Sequence, residues 1–361
     1  MVNIYDPKHY LSFAIDVTNR CIGKCEFCPR NNNFTQQIFP RGELDLDIFK
    51  KVFDHDYLNH MYNLIINGNL GEPVLYSRLF DLLDYVKENN PKLMVFISTN
   101  GLPRPTSWWK ELAKKMSFNR SNIIRFCLDG LSDTHHLYRG THYGTVLRNL
   151  ISYINAGGRA DWQFIVFKHN EHQLERAKKI ATQIGCAGFA TVISRHYNTD
   201  GTLERPTILD AKTKFELCEE SCDKIFCTPV ENHHLYMSHT GFVFPCCDYG
   251  LFEDFRRIEH YPPRLYIEYL RSLPDMDMSK STLKDALNST FFKYIMDNKD
   301  TLVRCKKSCT IQDNNRNEQI LMRDTLCNIK HEDERYVKKD ENIITNKVQG
   351  KIDLRTKKRP E

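Results

Sequence analysis

Cys21, Cys25 and Cys28 stand in the run Asp-Val-Thr-Asn-Arg-Cys-Ile-Gly-Lys-Cys-Glu-Phe-Cys, a C-x3-C-x2-C spacing with the aromatic Phe27 before the third cysteine. A four-iron, four-sulfur cube takes four cysteine thiolates, one per iron. Three thiolates leave one iron without a protein ligand, and an open metal position is where an outside molecule binds and reacts. A zinc site would want a fourth ligand close by, such as a second C-x2-C or an H-x3-H. None follows Cys28 closely, and His9 is the one histidine before it. A disulfide framework suits a small secreted domain. This chain has 361 residues, and its start, Met-Val-Asn-Ile-Tyr-Asp-Pro-Lys-His, lacks the basic and then apolar regions of a signal peptide.

Other polar groups follow apolar runs that read as strands. Asn67-Gly68-Asn69-Leu70-Gly71-Glu72-Pro73 places glycines where a ligand can approach the backbone, with a carboxylate beside them to accept from an ammonium group. An ordinary turn is the plainer reading of that segment alone. Asn100 ends Ile97-Ser98-Thr99-Asn100-Gly101, and Asp129 ends Phe126-Cys127-Leu128-Asp129-Gly130, where a turn role also suits it. Ten residues on, the guanidinium of Arg139 can grip a carboxylate at two points. His135 and His136 read as helix-start residues. Asn170 follows another strand and either meets a ribose or caps the helix starting at Glu171.

A second cysteine region begins at Cys227. Thirteen residues separate it from Gly241 and four more separate Gly241 from Cys246, which reads as two strands joined at His239-Thr240-Gly241. Cys305 and Cys309 could complete four ligands for a second cluster. Cys218, Cys222, Cys247 and Cys327 are alternatives, and a structural zinc is the rival occupant. Cys186 reads as a core residue.

The elements that must position these groups alternate. Strands are expected over 11–17, 62–66, 93–98, 123–128, 162–167 and 189–194, and helices over 45–57, 79–88, 107–116, 143–156 and 171–184. Such alternation implies parallel strands joined by crossover helices. The fold class is therefore α/β, an open, partial (β/α)6 TIM-like barrel with its chemistry at the C-terminal ends of the strands. After Arg195 the alternation stops, so residues 1–195 form the barrel and 196–330 a small Cys-rich α+β domain. Residues 331–361 are a charged tail, expected to be flexible. Apolar residues make up 41% of the chain, enough for a globular core. A mean hydropathy of −0.53, without a long apolar run, argues against a membrane span. Thirteen cysteines in a chain without a signal peptide point to a cytoplasmic metalloprotein. A net charge of +5 is too mild to imply a nucleic-acid partner.

The cysteine spacing resembles that of the radical S-adenosylmethionine (radical SAM) superfamily, and the resemblance extends over residues 10–310. Leu70-Gly71-Glu72-Pro73 is similar to the family's Gly-Gly-Glu segment, with the first glycine replaced. Cys127-Leu128-Asp129-Gly130, with Arg139-Gly140 after it, resembles the Ser-Leu-Asp-Gly…Arg-Gly segment of members with a SPASM or related extension, Cys127 standing where serine is usual. Cys227…Gly241…Cys246 matches the opening of the SPASM pattern, shortened to one auxiliary cluster.

The resemblance implies a [4Fe–4S] cluster on Cys21, Cys25 and Cys28, whose open iron chelates S-adenosylmethionine and cleaves it to a 5′-deoxyadenosyl radical. Phe27 would lie by the adenine, Gly71 and Glu72 by the methionyl amine, and Arg139 by its carboxylate. Asn100, Asp129 and Asn170 join the cofactor-binding set. A second [4Fe–4S] cluster would rest on Cys227, Cys246, Cys305 and Cys309. The expected partners are a peptide or small-molecule substrate that gives up a hydrogen, and an external one-electron donor of the flavodoxin or ferredoxin kind. The rival function is a non-enzymatic iron–sulfur redox sensor or nucleic-acid-binding regulator.

Overall fold

The computed structural model describes residues 3–28, 30, 42–194, 198, 202–207, 227–247, 249, 274–302, 305, 309 and 321–325. Six parallel strands lie side by side in chain order: β1 (Ser12–Asp16), β2 (Asn63–Asn67), β3 (Met94–Thr99), β4 (Ile123–Cys127), β5 (Ala160–Val166) and β6 (Gly188–Ile193). The crossovers carry α1 (Leu46–Val52), α2 (His55–His60), α3 (Leu79–Asn89), α4 (Thr106–Met116), α5 (His135–Arg139), α6 (Tyr143–Asn155) and α7 (Leu174–Ile184). One expected helix, over 45–57, is two. Phe53 leaves helical geometry, and the Asp54 carboxylate accepts from the Tyr57 N–H at 2.8 Å, starting α2 afresh. An N-cap here overrides an apolar period that runs straight through it.

Helices and strands meet through one face of each. The buried Trp109, Leu112, Ala113 and Met116 recur at helical spacing on α4, and the Trp109 ring lies 4.9 Å from Phe126 of β4. Phe13 of β1 packs edge-on against Phe53 at 4.9 Å. The opposite faces of the strands line the lumen. There Asn63, Ile65 and Asn67 of β2, and Met94, Phe96 and Ser98 of β3, are partly exposed, while their neighbours in sequence are buried. A closed barrel fills its interior with packed side chains; this one leaves room.

The hairpin expected across His239-Thr240-Gly241 is present. Strands β7 (His234–Met237) and β8 (Val243–Phe244) pair antiparallel, and Gly241 supplies a left-handed φ of +81°. Its attachment was not foreseen: β7 pairs in parallel with β1, with Ser12 opposite His234 and Ile15 opposite Met237. The sheet thus crosses the boundary expected at residue 195, in the order β8-β7-β1-β2-β3-β4-β5-β6-β9, with β9 (Leu321–Thr325) antiparallel on the far edge. Three further helices complete the described chain, α8 (Thr228–Glu231), α9 (Leu283–Asn288) and α10 (Thr290–Asn298). The last two tie back to the N-terminal segment. The Asn288 amide donates to Tyr5 O at 3.1 Å, and the Tyr5 hydroxyl donates to Asp297 at 3.0 Å. No described helix is long and apolar enough to cross a membrane. Cys218, Cys222, Cys327 and the tail 331–361 lie outside the described residues.

A buried carboxyl group fastens the hairpin to the barrel. Asp16, at the end of β1, is fully buried, and accepts from the Tyr236 hydroxyl of β7 at 2.9 Å and from Asn69 Nδ2 at 3.1 Å. Burial lifts its pKa to about 7, against the pull of these hydrogen bonds. In the unfolded chain the group loses its proton near pH 4. Between those two values the folded state alone keeps the proton, so this contribution to stability is complete below about pH 4 and drains away as pH rises to about 7. Asp16→Asn keeps the shape without the charge. We expect unfolding titrations of the wild type to lose stability across that window relative to D16N, with the two profiles running parallel outside it.

Candidate functional site

The three cysteines follow β1 in a loop at the C-terminal mouth of the barrel. Two backbone N–H groups hold it to the end of α5: Lys24 donates to Arg139 O at 3.3 Å and Glu26 to Tyr138 O at 3.2 Å. The half-buried Phe27 ring tilts over Tyr138, centroids 6.3 Å apart. Gly23 sits between thiols. A Cβ there would stand 3.4 Å from Cys21 Sγ and 3.8 Å from Cys25 Sγ, so these two sulfurs flank one glycine. The Cys28 N–H donates to Cys25 O at 3.1 Å, which turns the third cysteine back toward the second.

Donors surround the sulfurs. Gly23 N–H lies 3.3 Å and Asn100 Nδ2 3.5 Å from Cys21 Sγ, and Arg139 Nη1 is 3.7 Å from Cys25 Sγ. Burial pushes Cys21 up to about 11 and also raises Cys28. Such thiols stay protonated until a cation compensates the thiolate, as metal binding does. Among the described residues no three His, Cys, Asp or Glu groups converge tightly enough for a single ion. Three cysteine thiols on one loop, with N–H donors beside two of the sulfurs, are the donor chemistry that fits an iron–sulfur cluster.

Groups suited to an amine and a carboxylate lie on either side. Glu72 is 2% exposed, and its N–H donates to Arg20 O at 2.7 Å, which joins its loop to the residue before Cys21. Its carboxylate accepts from the Thr99 hydroxyl at 2.5 Å, the Asn100 N–H at 2.7 Å and the Val74 N–H at 3.4 Å. A carboxylate offers about four acceptor positions, so one is left for a ligand. Burial lifts the Glu72 pKa to about 7.

Arg139 ends α5, and its Nε donates to the fully buried Asp129 carboxylate. Burial works against its charge, yet Asp129 and the thiols hold its pKa above the ordinary value. Asp129 is in turn fixed from three sides. Its Oδ1 accepts from the Ile165 N–H at 2.6 Å, its N–H donates to His135 Nδ1 at 3.1 Å, and its carbonyl accepts from Asn170 Nδ2 at 3.3 Å. His135 is held neutral, its pKa brought down to about 3 by burial and then by Arg139.

The structure therefore gathers Cys21, Cys25, Cys28, Glu72, Asn100 and Arg139 into one site. Asp129 stands behind Arg139 as its counterion. Asn170 is fully buried: besides the Asp129 carbonyl, its amide donates to Ile165 O at 3.0 Å, and its Oδ1 accepts from the Phe167 N–H at 2.8 Å. Its side chain caps no helix and braces the rim. In the sequence Thr99 has no separate role and His135 reads as a helix-start residue, which it is; their contacts to Glu72 and Asp129 become visible only once three strand ends lie side by side. In the second cysteine region, Cys227 rises to about 11 through burial and then the proximity of Cys305 and Cys309. The Tyr249 hydroxyl also contacts Cys305 Sγ at 3.3 Å. Cys246 lies just past β8, where its carbonyl accepts from the Tyr249 N–H at 3.2 Å.

Comparison with known proteins bears on the fold. SuiB of Streptococcus suis bound to S-adenosylmethionine superposes with a TM-score of 0.54 at 13% identity, covering 82% of this chain and 72% of that one. Native anSMEcpe with bound AdoMet gives 0.52 at 14%, covering 83% and 88%. The chain shares the fold of these two structures, a partial α/β barrel. No family model matches it. Among curated proteins, it is 23% identical over 180 residues to the tungsten-containing aldehyde ferredoxin oxidoreductase cofactor-modifying protein of Pyrococcus furiosus, 47% of this chain and 48% of the relative. It is 28% identical over 174 residues to the Fe-coproporphyrin III synthase of Methanosarcina barkeri, 45% and 41% respectively. The chain thus spans under half the length of the curated relatives it matches.

On this fold, the loop carrying Glu72 depends on one close approach. A Cβ on Gly71 would stand 1.9 Å from Thr18 O. Gly71→Ala must push the loop off the segment leading to Cys21. We expect thermal unfolding to show a loss of about 1–3 kcal/mol.

Proposed function

We propose that this protein is a radical SAM enzyme that abstracts hydrogen from its substrate. The observation that carries the reading is the flanking of the cysteine triad, with Asn100 and Glu72 beside Cys21, and Arg139 and Asp129 beside Cys25. Cys21, Cys25 and Cys28 would hold a [4Fe–4S] cluster. Such a cluster would supply, to bound S-adenosylmethionine, the electron for reductive cleavage to methionine and a 5′-deoxyadenosyl radical. The chain's own residues bind and orient. Glu72 accepts from the methionyl ammonium, Arg139 forks onto the carboxylate, and the Phe27 backbone borders the adenine. Asn100 and Arg139 also donate to the thiolates, which eases their negative charge.

The second region supports an auxiliary cluster on Cys227, Cys305 and Cys309, with Cys246 as fourth ligand. An external one-electron donor of the flavodoxin or ferredoxin kind would feed the catalytic cluster. The substrate is a peptide or a small molecule. SuiB has been solved bound to the precursor peptide SuiA, and that structure superposes with a TM-score of 0.56 at 14% identity, covering 89% of this chain and 76% of that one. The curated relatives are named for work on a cofactor and on a porphyrin.

Anaerobic reconstitution with iron and sulfide, then S-adenosylmethionine and dithionite, tests the reading. We expect 5′-deoxyadenosine from the wild type and none from the Cys21/Cys25/Cys28→Ala triple variant. The variant should keep about four irons per chain at the auxiliary site. Failure of the reconstituted wild type to bind S-adenosylmethionine would sink the assignment.

Glu72 gives a pH signature. Its ionised form receives the ammonium, so affinity for S-adenosylmethionine should fall as pH drops through about 7. Glu72→Gln should bind more weakly, and with a flat profile in the same calorimetric titration.

A further inference from the structure

We propose that the open lumen of the barrel is a substrate pocket for a molecule carrying a carboxylate or phosphate, and that Arg125 receives this oxyanion. The identity of that molecule as the hydrogen donor rests on the radical SAM reading; the binding itself does not.

Ser98, Arg125 and Asp161 are register partners on β3, β4 and β5. Arg125 and Ser98 keep some exposure while Asp161 is buried: the Arg125 side chain is 19% exposed, against 1% for Asp161. The guanidinium lies over the Phe96 ring, 4.8 Å from its centroid, an attraction that helps hold it in place. Its Nη2 stands 3.6 Å from Asp161 Oδ2, attraction without a hydrogen bond. Its Nε is buried and finds no hydrogen-bond partner among the described residues. A guanidinium carries five N–H donors in a planar fork, and buried donors are nearly always paired. A fork with an unpartnered Nε and an Nη2 held only loosely by Asp161 is what a carboxylate or phosphate, reaching it from the lumen side, binds with two parallel hydrogen bonds.

The arrangement repeats the one above it. At the mouth, Arg139 faces the ligand site with the buried Asp129 behind it. Two residues before the end of β4, Arg125 faces the lumen with the buried Asp161 behind it. In both couples a buried acid lies beside the guanidinium and leaves part of its fork forward. Arg125 lies about 7 Å along the strand from Cys127, so an oxyanion seated on it leaves a short carbon chain to reach the mouth. The partly exposed Ile65, Met94 and Phe96 offer that chain an apolar wall.

Ligand-observed saturation-transfer NMR on the full-length protein, with and without its clusters, tests this with hexanoate, butyl phosphate and hexanamide. We expect at least one of the two anions to bind, with hexanamide at least about tenfold weaker. Arg125→Gln should lose the anion by a similar factor, and Arg125→Lys should recover part of it. Ile65→Trp, which fills the lumen from β2, should block the anion with Arg125 intact, so the idea stays testable if R125Q folds poorly. Equal binding of acid and amide, undiminished binding to R125Q, or no anion binding to the wild type would each overturn the proposal. A preference for hexanoate or for butyl phosphate tells which oxyanion the pocket takes. The readout needs no S-adenosylmethionine cleavage, so its failure and that of the radical SAM reading can be told apart.

Discussion

A guanidinium buried beside a thiol can hold its charge only if an acid stands behind it, and here that acid is Asp129. Removing one partner of a buried ion pair strands the other, which costs about 3–5 kcal/mol, so the pair must be held rigidly. The chain does this with neutral groups. His135 takes the Asp129 N–H, Asn170 takes its carbonyl, and the Ile165 N–H meets its carboxylate. Each comes from a different element: the start of α5, the turn after β5, and β5 itself. The burial that keeps His135 neutral also suits the site, because a second cation there would oppose Arg139.

The same constraint explains why the cysteine loop lies where it does. The loop is tied by its backbone to the carbonyls of Tyr138 and Arg139, so whatever fixes Arg139 also fixes Cys25. On the other side, Glu72 reaches Asn100 through its carboxylate and Arg20 through its N–H, and Asn100 reaches Cys21. The two halves of the site meet at the thiols, each built from strands that are neighbours in the sheet. Parallel order does the positioning: β1 to β5 bring five successive C-terminal ends to one mouth, and short loops suffice for the rest.

Most of this was legible in the sequence where the signal is local. Strand and helix alternation gave the barrel with ends close to those observed, because each element carries its own period and turn residues. Cys21, Cys25 and Cys28, with Gly71, Glu72, Asn100 and Arg139, could be named from spacing and resemblance and do come together. What failed to show was pairing between distant segments. Nothing local in His234–Met237 says that it joins β1 in parallel, because a hairpin signal specifies the partner within the hairpin and no other. Asn170 looked equally like a cap or a ligand contact; only its full burial against Ile165 and Phe167 assigns it to the rim. Which face of each strand looks into the lumen was also hidden, since β2 and β3 alternate between buried and partly exposed positions whose residue types overlap.

Cys127 shows how a departure from a family's pattern can be absorbed. It stands where serine is usual, and a thiol is a poor hydrogen-bond donor. Its neighbours are polar: Ser98 Oγ lies 3.8 Å and Gln163 Nε2 3.7 Å from its sulfur. Burial raises the thiol's pKa, so it stays neutral beside Asp129 and adds no second negative charge next to the acid that Arg139 needs. The hydroxyl missing from β4 is present one strand over, on the lumen side of β3. A polar row shared between strands can therefore keep its chemistry when one member changes, whereas Asp129 is held from three directions and faces one guanidinium, so its place is fixed by four partners at once.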